Sequence, residues 1–291
     1  MKSALSPLFS RLLLSFSLVF SLTQALASEP TPPVQTSINT LKIVLVGDST
    51  MQSQTGYGGA FCAYHVAPAV ACLNLGRGGR STSSYRAEGS WDVALGEMRN
   101  PRHSKTYVLI QFGHNDMPGK PGRSTDLKTE YPANLVAYIR ETRAAGAIPV
   151  LVTPLTRRSF KDGVLVDDLA PWVAAMRSVA RDHSVPLVEL NAVSREQTIV
   201  AGPVGSLSFA QVAPDPALVL AARTGTSGKA AGKPDPRPAP ESGPARHRIT
   251  PYFDYTHLGT EGAMRTAYAF TQALGTAVPD LAPYLIEESP Q

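Results

Sequence analysis

Leu41-Lys42-Ile43-Val44-Leu45-Val46-Gly47-Asp48-Ser49-Thr50 is the stretch on which the fold turns. From Ile43 to Val46 it is continuously apolar and rich in β-branched residues, the composition of a parallel strand covered by helices on both faces. The run stops at Gly47, and Asp48, Ser49 and Thr50 follow at once. These residue types favour turns and helix N-caps, so the pattern predicts a strand ending in a tight turn into a helix, with Ser49 at the mouth of a sheet. In open α/β sheets ligands bind at that carboxyl edge. A hydroxyl beside a helix N-terminus also has backbone N–H groups nearby that can stabilise an oxyanion. Ser49 stands where a nucleophile would be placed, although Gly-Asp-Ser alone also describes an ordinary capped loop.

Outward from this strand, apolar runs alternate with helical periodicity. A loop with Gly56, Gly58 and Gly59 leads to a second strand within 67–75, which ends in Leu75-Gly76-Arg77-Gly78-Gly79-Arg80-Ser81. Three glycines in four positions allow close backbone approach to a ligand and positive φ. Residues 83–98 have helical spacing through Trp91, Ala94, Leu95 and Met98, and 106–112 form a third strand ending in Gly113-His114-Asn115-Asp116. A helix over 131–145 stops at Gly146, a fourth strand spans 148–152, a helix runs over 168–183, and a fifth strand spans 186–190. A final helix covers 260–274. Strands alternating with helices imply parallel βαβ units with right-handed crossovers. The predicted architecture is therefore α/β, a three-layer α/β/α sandwich around a five-stranded parallel doubly wound sheet.

The remaining segments read differently. Lys2 and Arg11, the apolar stretch from Leu12 to Leu22 and Ala25-Leu26-Ala27 have the form of a secretory signal peptide over 1–27. The apolar stretch is broken by serines and falls short of the roughly 20 residues a membrane anchor needs. Residues 28–40 are a proline-rich tether, 41–280 the folded domain, and 281–291 a tail. Within the domain, 202–250 is rich in Pro, Ala and Gly and poor in large apolar residues, and is expected as a mobile insertion with at most a short helix at 217–222. Removing residues 1–27 takes two of the 27 Lys and Arg and none of the 23 Asp and Glu, leaving 25 against 23. The basic residues are scattered, so nothing calls for nucleic acid, and no membrane contact is expected after signal cleavage. The two cysteines, Cys62 and Cys72, suit an exported chain, as a disulfide across the first crossover or as two buried thiols. Two cysteines without a His-rich cluster do not make a structural zinc site, and no metal is expected.

A serine hydroxyl is a poor nucleophile until a base takes its proton, and that base must be oriented by a third group. His257 is the candidate base, and Asp254, three residues before it in a loop entering a helix, can fold back onto the imidazole and select its tautomer. Asp48 reads as a turn and helix-cap residue. The sets Gly47-Asp48-Ser49, Gly79, Gly113-His114-Asn115-Asp116 and Asp254 to His257 occur in that order. Together they resemble the SGNH hydrolase superfamily, also called the GDSL family, over residues 42–275 apart from the insertion. That resemblance implies an SGNH/flavodoxin-like sheet, with Ser49 as nucleophile, His257 as general base and Asp254 as its partner. It also implies an oxyanion hole made by Ser49 N–H, Gly79 N–H and the Asn115 side chain. A neutral amide donor at Asn115 suits that role because it cannot deprotonate the site.

Wider segments narrow the branch: Gly-Asp-Ser-Thr-Met at 47–51, Gly-Gly-Arg-Ser at 78–81, Gln-Phe-Gly-His-Asn-Asp at 111–116, Thr-Pro-Leu-Thr-Arg-Arg at 153–158 and Asp-Tyr-Thr-His-Leu at 254–258. They are similar to the rhamnogalacturonan acetylesterases, which deacetylate pectic polysaccharide without a metal or cofactor; those compact members lack the insertion before Asp254. The resemblance implies a serine esterase acting on an acetylated polysaccharide or oligosaccharide; the signal-peptide pattern adds a periplasmic or secreted location, and a monomer is expected. Arg80, Arg157 and Arg158 are candidates for pairing with galacturonate carboxylates, and His114 and Asp116 for contacts to sugar hydroxyls. The alternatives are a GDSL-type lipase, thioesterase or lysophospholipase of the same fold, or a catalytically inactive polysaccharide-binding protein.

Overall fold

The computed structural model describes residues 40–232 and 250–287. The expected signal peptide, nearly all of the tether and residues 233–249 of the expected insertion lie outside the described residues. Five parallel strands, β1 (Leu41–Gly47), β2 (Ala71–Asn74), β3 (Lys105–Gln111), β4 (Ile148–Val152) and β7 (Leu187–Val188), form one sheet in the order β2-β1-β3-β4-β7. The two short strands between them in sequence, β5 (Phe160–Lys161) and β6 (Val164–Leu165), make a separate antiparallel hairpin that sequence periodicity does not reveal. β1 pairs with β3 along its whole length, from Leu41 opposite Lys105 to Gly47 opposite Gln111.

Every residue of β1 is buried, as a strand covered on both faces must be. The pleat sends alternate side chains into two cores. Ile43 and Leu45 pack with Phe61 of helix α1 (Gly58–Tyr64) and with Phe270 and Leu274 of helix α8 (Thr260–Ala277). Val44 and Val46 pack on the other side with Trp91, Tyr138 and Met176, carried by helices α3 (Ser90–Met98), α4 (Glu130–Ala144) and α5 (Ala170–Asp182). Truncating a side chain such as Leu45 to Ala would cost about 2–5 kcal/mol. Lys42, the polar exception, reaches the rim, where its ammonium pairs with the Glu97 carboxylate and donates to Glu97 O.

Several expectations need correction. The helix expected over 83–98 is two, α2 (Ser84–Ala87) and α3, because Gly89 interrupts it with a φ of 82°. The fifth strand shrinks to two residues, and the chain turns at once into a helix that periodicity does not predict, α6 (Leu190–Gly205). The reason is chemical: besides Leu190, the buried residues of α6 are Asn191, Ser194 and Thr198, so its inner face lacks an apolar stripe. Those polar groups are satisfied, with Asn191 Nδ2 donating to Pro154 O at 3.0 Å and Thr198 Oγ1 to Ser194 O at 2.7 Å.

The stretch expected to be mobile from 202 begins as ordered chain. A 3-10 turn at Ser206–Phe209 buries Leu207 and Phe209, and helix α7 (Pro216–Arg223) follows with Leu218 and Ala222 buried. Asp215 caps α7 by accepting from Ala217 N at 2.8 Å, with Pro216 in the first turn. The domain also extends past 280: Leu281 is fully buried and Ile286 N donates to His65 O at 3.0 Å, so residues 281–287 are not a free tail. Cys62 and Cys72 form a disulfide, joining α1 to β2 with their Cα atoms 5.5 Å apart.

Candidate active site

Ser49 lies two residues beyond the end of β1, at the carboxyl edge of the sheet. The turn that carries it differs from the expected helix entry. Gln52 N donates to Asp48 O at 3.1 Å, a single helical turn that is not continued, and α1 starts only at Gly58. The turn is held by Asp48 Oδ1, which accepts from Thr50 N and Thr50 Oγ1, both at 2.8 Å, and by Thr55 Oγ1 donating to Ser49 O at 2.6 Å. Gly56 and Gly58 are close-approach positions: a Cβ would sit 2.0 Å from Thr50 O at the first and 2.2 Å from Met51 O at the second. The glycine-rich segment after Ser49 is thus packed backbone and the start of a helix, not a flexible loop.

Asp254 and His257 sit in the loop that enters α8. His257 Nδ1 lies 2.6 Å from Asp254 Oδ2, and His257 Nε2 lies 2.8 Å from Ser49 Oγ, 208 residues away in sequence. A carboxylate only accepts, so Nδ1 carries the proton and Nε2 is left to accept from the serine hydroxyl. Asp254 Oδ1 accepts from His257 N at 2.7 Å and Thr256 N at 2.8 Å. Burial pushes the Asp254 carboxyl up, but its bond and charge interaction with His257 and these two N–H groups outweigh that and hold it at about 2. Tyr252, which sequence reasoning did not single out, places its hydroxyl 3.2 Å from the same Nδ1.

Gly79 and Asn115 come to Ser49 from neighbouring strand ends. Gly79 follows β2 with a φ of 78°, a conformation that favours glycine, and Asn115 follows β3. The Asn115 amide spends one N–H on Arg80 O at 3.0 Å, which ties the two loops together and leaves it a second N–H. Ser49, Gly79, Asn115 and His257 all line one open cleft of about 1100 Å³. Polar side chains on its other walls are Gln52, Gln54, Arg77, Arg80, Glu88 and Arg123. Arg80 donates to Glu88 Oε2 through Nε at 2.8 Å and Nη2 at 2.6 Å, so the guanidinium is held at the cleft wall.

The other candidate substrate contacts are not at that wall. His114 is 3% exposed and its Nδ1 faces Asp48 Oδ2 at 3.4 Å beneath the Ser49 turn. Burial draws the His114 imidazole below its usual range, against the pull of the Asp48 charge. Asp116 is fully buried, accepting from Thr82 N at 3.1 Å, Thr82 Oγ1 at 2.5 Å and Thr125 Oγ1 at 3.1 Å. Burial raises its carboxyl to about 6 despite those donors. Both residues shape the loop that carries Asn115 and are closed to a sugar. Arg157 turns to Asp168 at 3.2 Å and to Met117 Sδ at 3.4 Å and does not line the cleft. Arg158 is buried behind the Asp254–His257 loop. Arg77, Arg123 and Tyr252 were missed because lone residues in irregular loops carry no periodic or motif signal. Among the described residues, no group of three or more His, Cys, Asp or Glu is placed to hold a metal ion.

A serine, histidine and aspartate joined in series at the carboxyl edge of a doubly wound parallel sheet is the arrangement of a serine hydrolase. Residues 45–203 match the model of the GDSL-like Lipase/Acylhydrolase family, and the chain belongs to that family of carboxylic ester hydrolases. It is 33% identical over 154 residues to the Probable rhamnogalacturonan acetylesterase YesY of Bacillus subtilis (strain 168), a match covering 51% of this chain and 69% of the relative. It is 30% identical over 171 residues to Rhamnogalacturonan acetylesterase RhgT of the same organism, covering 56% and 70%. Among solved structures, the protein YXIM of Bacillus subtilis is similar with a TM-score of 0.59 at 20% identity; the match covers 81% of this chain and 56% of that one. A mutant of Axe2, an acetyl-xylooligosaccharide esterase from Geobacillus, gives 0.51 at 16% identity, covering 80% and 94%. At those identities the structural likeness concerns the fold alone.

Proposed function

We propose that this protein is an exported serine esterase that removes O-acetyl groups from an acidic plant cell-wall polysaccharide, rhamnogalacturonan first among the candidates. The observation that carries the reading is the Asp254–His257–Ser49 series of 2.6 and 2.8 Å contacts opening into a polar cleft. In the reaction, Ser49 Oγ attacks the acetyl carbonyl while His257 Nε2 takes its proton, and Asp254 stabilises the imidazolium. Ser49 N–H, Gly79 N–H and the second N–H of Asn115 receive the developing oxyanion. The sugar hydroxyl leaves with the proton from His257, and water then attacks the acetyl-enzyme with His257 again as base, releasing acetate.

The cleft walls support a small acyl group on a polar carrier. Arg77, Arg80 and Arg123 stand against Glu88 alone among charged wall residues, which suits a carboxylate-bearing sugar. A long acyl chain would need an apolar groove, and besides His257 only Ala87 and Tyr252 among the lining residues carry an aliphatic or aromatic side chain without charge or amide. The relatives named as rhamnogalacturonan acetylesterases support the same substrate class, and the signal-peptide pattern at residues 1–27 supports export to the periplasm or beyond. The test is acetate release from acetylated rhamnogalacturonan by the wild type and by Ser49→Ala, with acetylated xylan and esters of increasing acyl length alongside. Release by the wild type alone is the expected result. Equal release by both, or rates that climb with acyl length beyond acetyl, would defeat the reading.

A further inference from the structure

The loop that carries Asp254 and His257 belongs to no strand or helix, yet it must hold two side chains on Ser49 to within tenths of an ångström. Some neighbours fix its far end, where Leu258 N donates to Thr55 O and Gly259 N to Phe209 O, both at 2.9 Å. Across the four residues from Asp254 to His257, every carbonyl is taken by one residue from another part of the chain, Arg158. Its Nη2 donates to Asp254 O at 2.9 Å and His257 O at 3.0 Å, its Nη1 to Thr256 O at 3.2 Å, and its backbone N to Tyr255 O at 2.8 Å. Arg158 is 2% exposed and makes no ion pair with a carboxylate among the described residues. The segment that brings it there leaves the end of β4 and is itself pinned to α6, where Thr156 N donates to Ser194 Oγ at 3.1 Å.

We infer that Arg158 is a positioning residue for the esterase reaction, a guanidinium clamp that locks the Asp254–His257 loop into the geometry in which His257 reaches Ser49. The inference rests on the serine-relay reading given above. A guanidinium suits the task because its planar fork spans several acceptors at once, whereas a lysine ammonium is a point donor on a flexible stem. Burying a cation without a carboxylate partner is costly unless its donors are satisfied. Here peptide dipoles satisfy most of them, and the Asp254 carboxylate nearby favours the charged form. Burial lowers the Arg158 guanidinium to about 10, so it stays charged at neutral pH. No group of Arg158 contacts Ser49 or the cleft, and its effect on chemistry passes through the loop.

The test uses the full chain with an aryl acetate as substrate, comparing wild type, Ser49→Ala, Arg158→Lys and Arg158→Ala, with folding followed by circular dichroism. A displacement of about 1 Å at a catalytic group costs on the order of a hundredfold in rate, so Arg158→Lys is expected to lower kcat by about that factor. KM should stay nearly constant, because the cleft walls are untouched. The far-downfield proton resonance of the His257 Nδ1–H···Asp254 bond should shift or vanish in both Arg158 variants. Millimolar guanidinium, entering the space left in Arg158→Ala, should recover a large part of kcat. Wild-type kcat and an unmoved proton resonance in Arg158→Lys would overturn the clamp, as would a folded Arg158→Ala that guanidinium does not rescue. Activity persisting in Ser49→Ala would instead bring down the relay reading itself, which keeps the two failures apart.

Discussion

Replacing Asp116 with Asn should remove a specific pH dependence of stability, and its size follows from where the carboxyl sits. Asp116 is fully buried and makes no ion pair among the described residues, and burial raises it from the ordinary 3.8 to about 6. Between those values the folded protein holds a proton on this group that the unfolded chain has lost. The contribution is therefore fully present below about 3.8 and disappears as pH rises through about 6. A shift of this size corresponds to about 3 kcal/mol in full, most of which falls between pH 4 and pH 7. Other carboxyls, Asp48 and Asp254 among them, are held low and act in the opposite direction, so the wild-type curve alone is ambiguous. The assay is urea unfolding of wild type and Asp116→Asn at a series of pH values. The difference between the two curves isolates Asp116: going from pH 7 to pH 4, wild type should gain on the variant by about 2 kcal/mol. Parallel curves would refute the claim that burial raises this carboxyl. A rise in KM with no change in the pH slope would return Asp116 to the substrate contacts from which its burial removes it.

Two further outcomes follow from the same geometry. Asn115→Ala should lower kcat by about a hundredfold to a thousandfold in steady-state acetate release, the usual loss for one oxyanion donor; a KM effect alone would show that the amide does not meet the transition state. The Cys62–Cys72 crosslink closes a short loop between α1 and β2, and chain entropy assigns such a loop about 2.7 kcal/mol. The paired Cys62→Ser and Cys72→Ser change should lower the free energy of unfolding by about that much, while an unchanged value would place the sheet edge outside the cooperative unit.

What the sequence determined by itself was the regular half of the molecule. β1, β3, β4, α4, α5 and α8 are visible because a strand buried on both faces must be continuously apolar and a helix on its flank must repeat every three to four residues. The Ser49 turn and the Asp254 to His257 segment were visible because each couples turn-forming residues to a nucleophile or a base, while Gly79 and Asn115 were singled out through the resemblance to the SGNH hydrolases. α6 escaped because its buried face is polar, and α1 because its first residues are glycines chosen for close approach, whereas the short helix allowed at 217–222 is present as α7.

Tertiary structure decided the rest, because burial and charge environment belong to neighbours from distant parts of the chain. His114 and Asp116 flank Asn115 in sequence and look equally available, yet packing against Asp48, Thr82 and Thr125 closes both to substrate. Arg157 and Arg158 are adjacent as well, but one meets Asp168 while the other is drawn under the Asp254–His257 loop. The contact between Ser49 and His257 spans 208 residues and exists only because sheet order and the packing of α8 on α1 return the end of the domain to the mouth of β1. A sequence can supply the hydroxyl, the imidazole and the carboxylate in the right order, but only folding brings them within hydrogen-bonding reach.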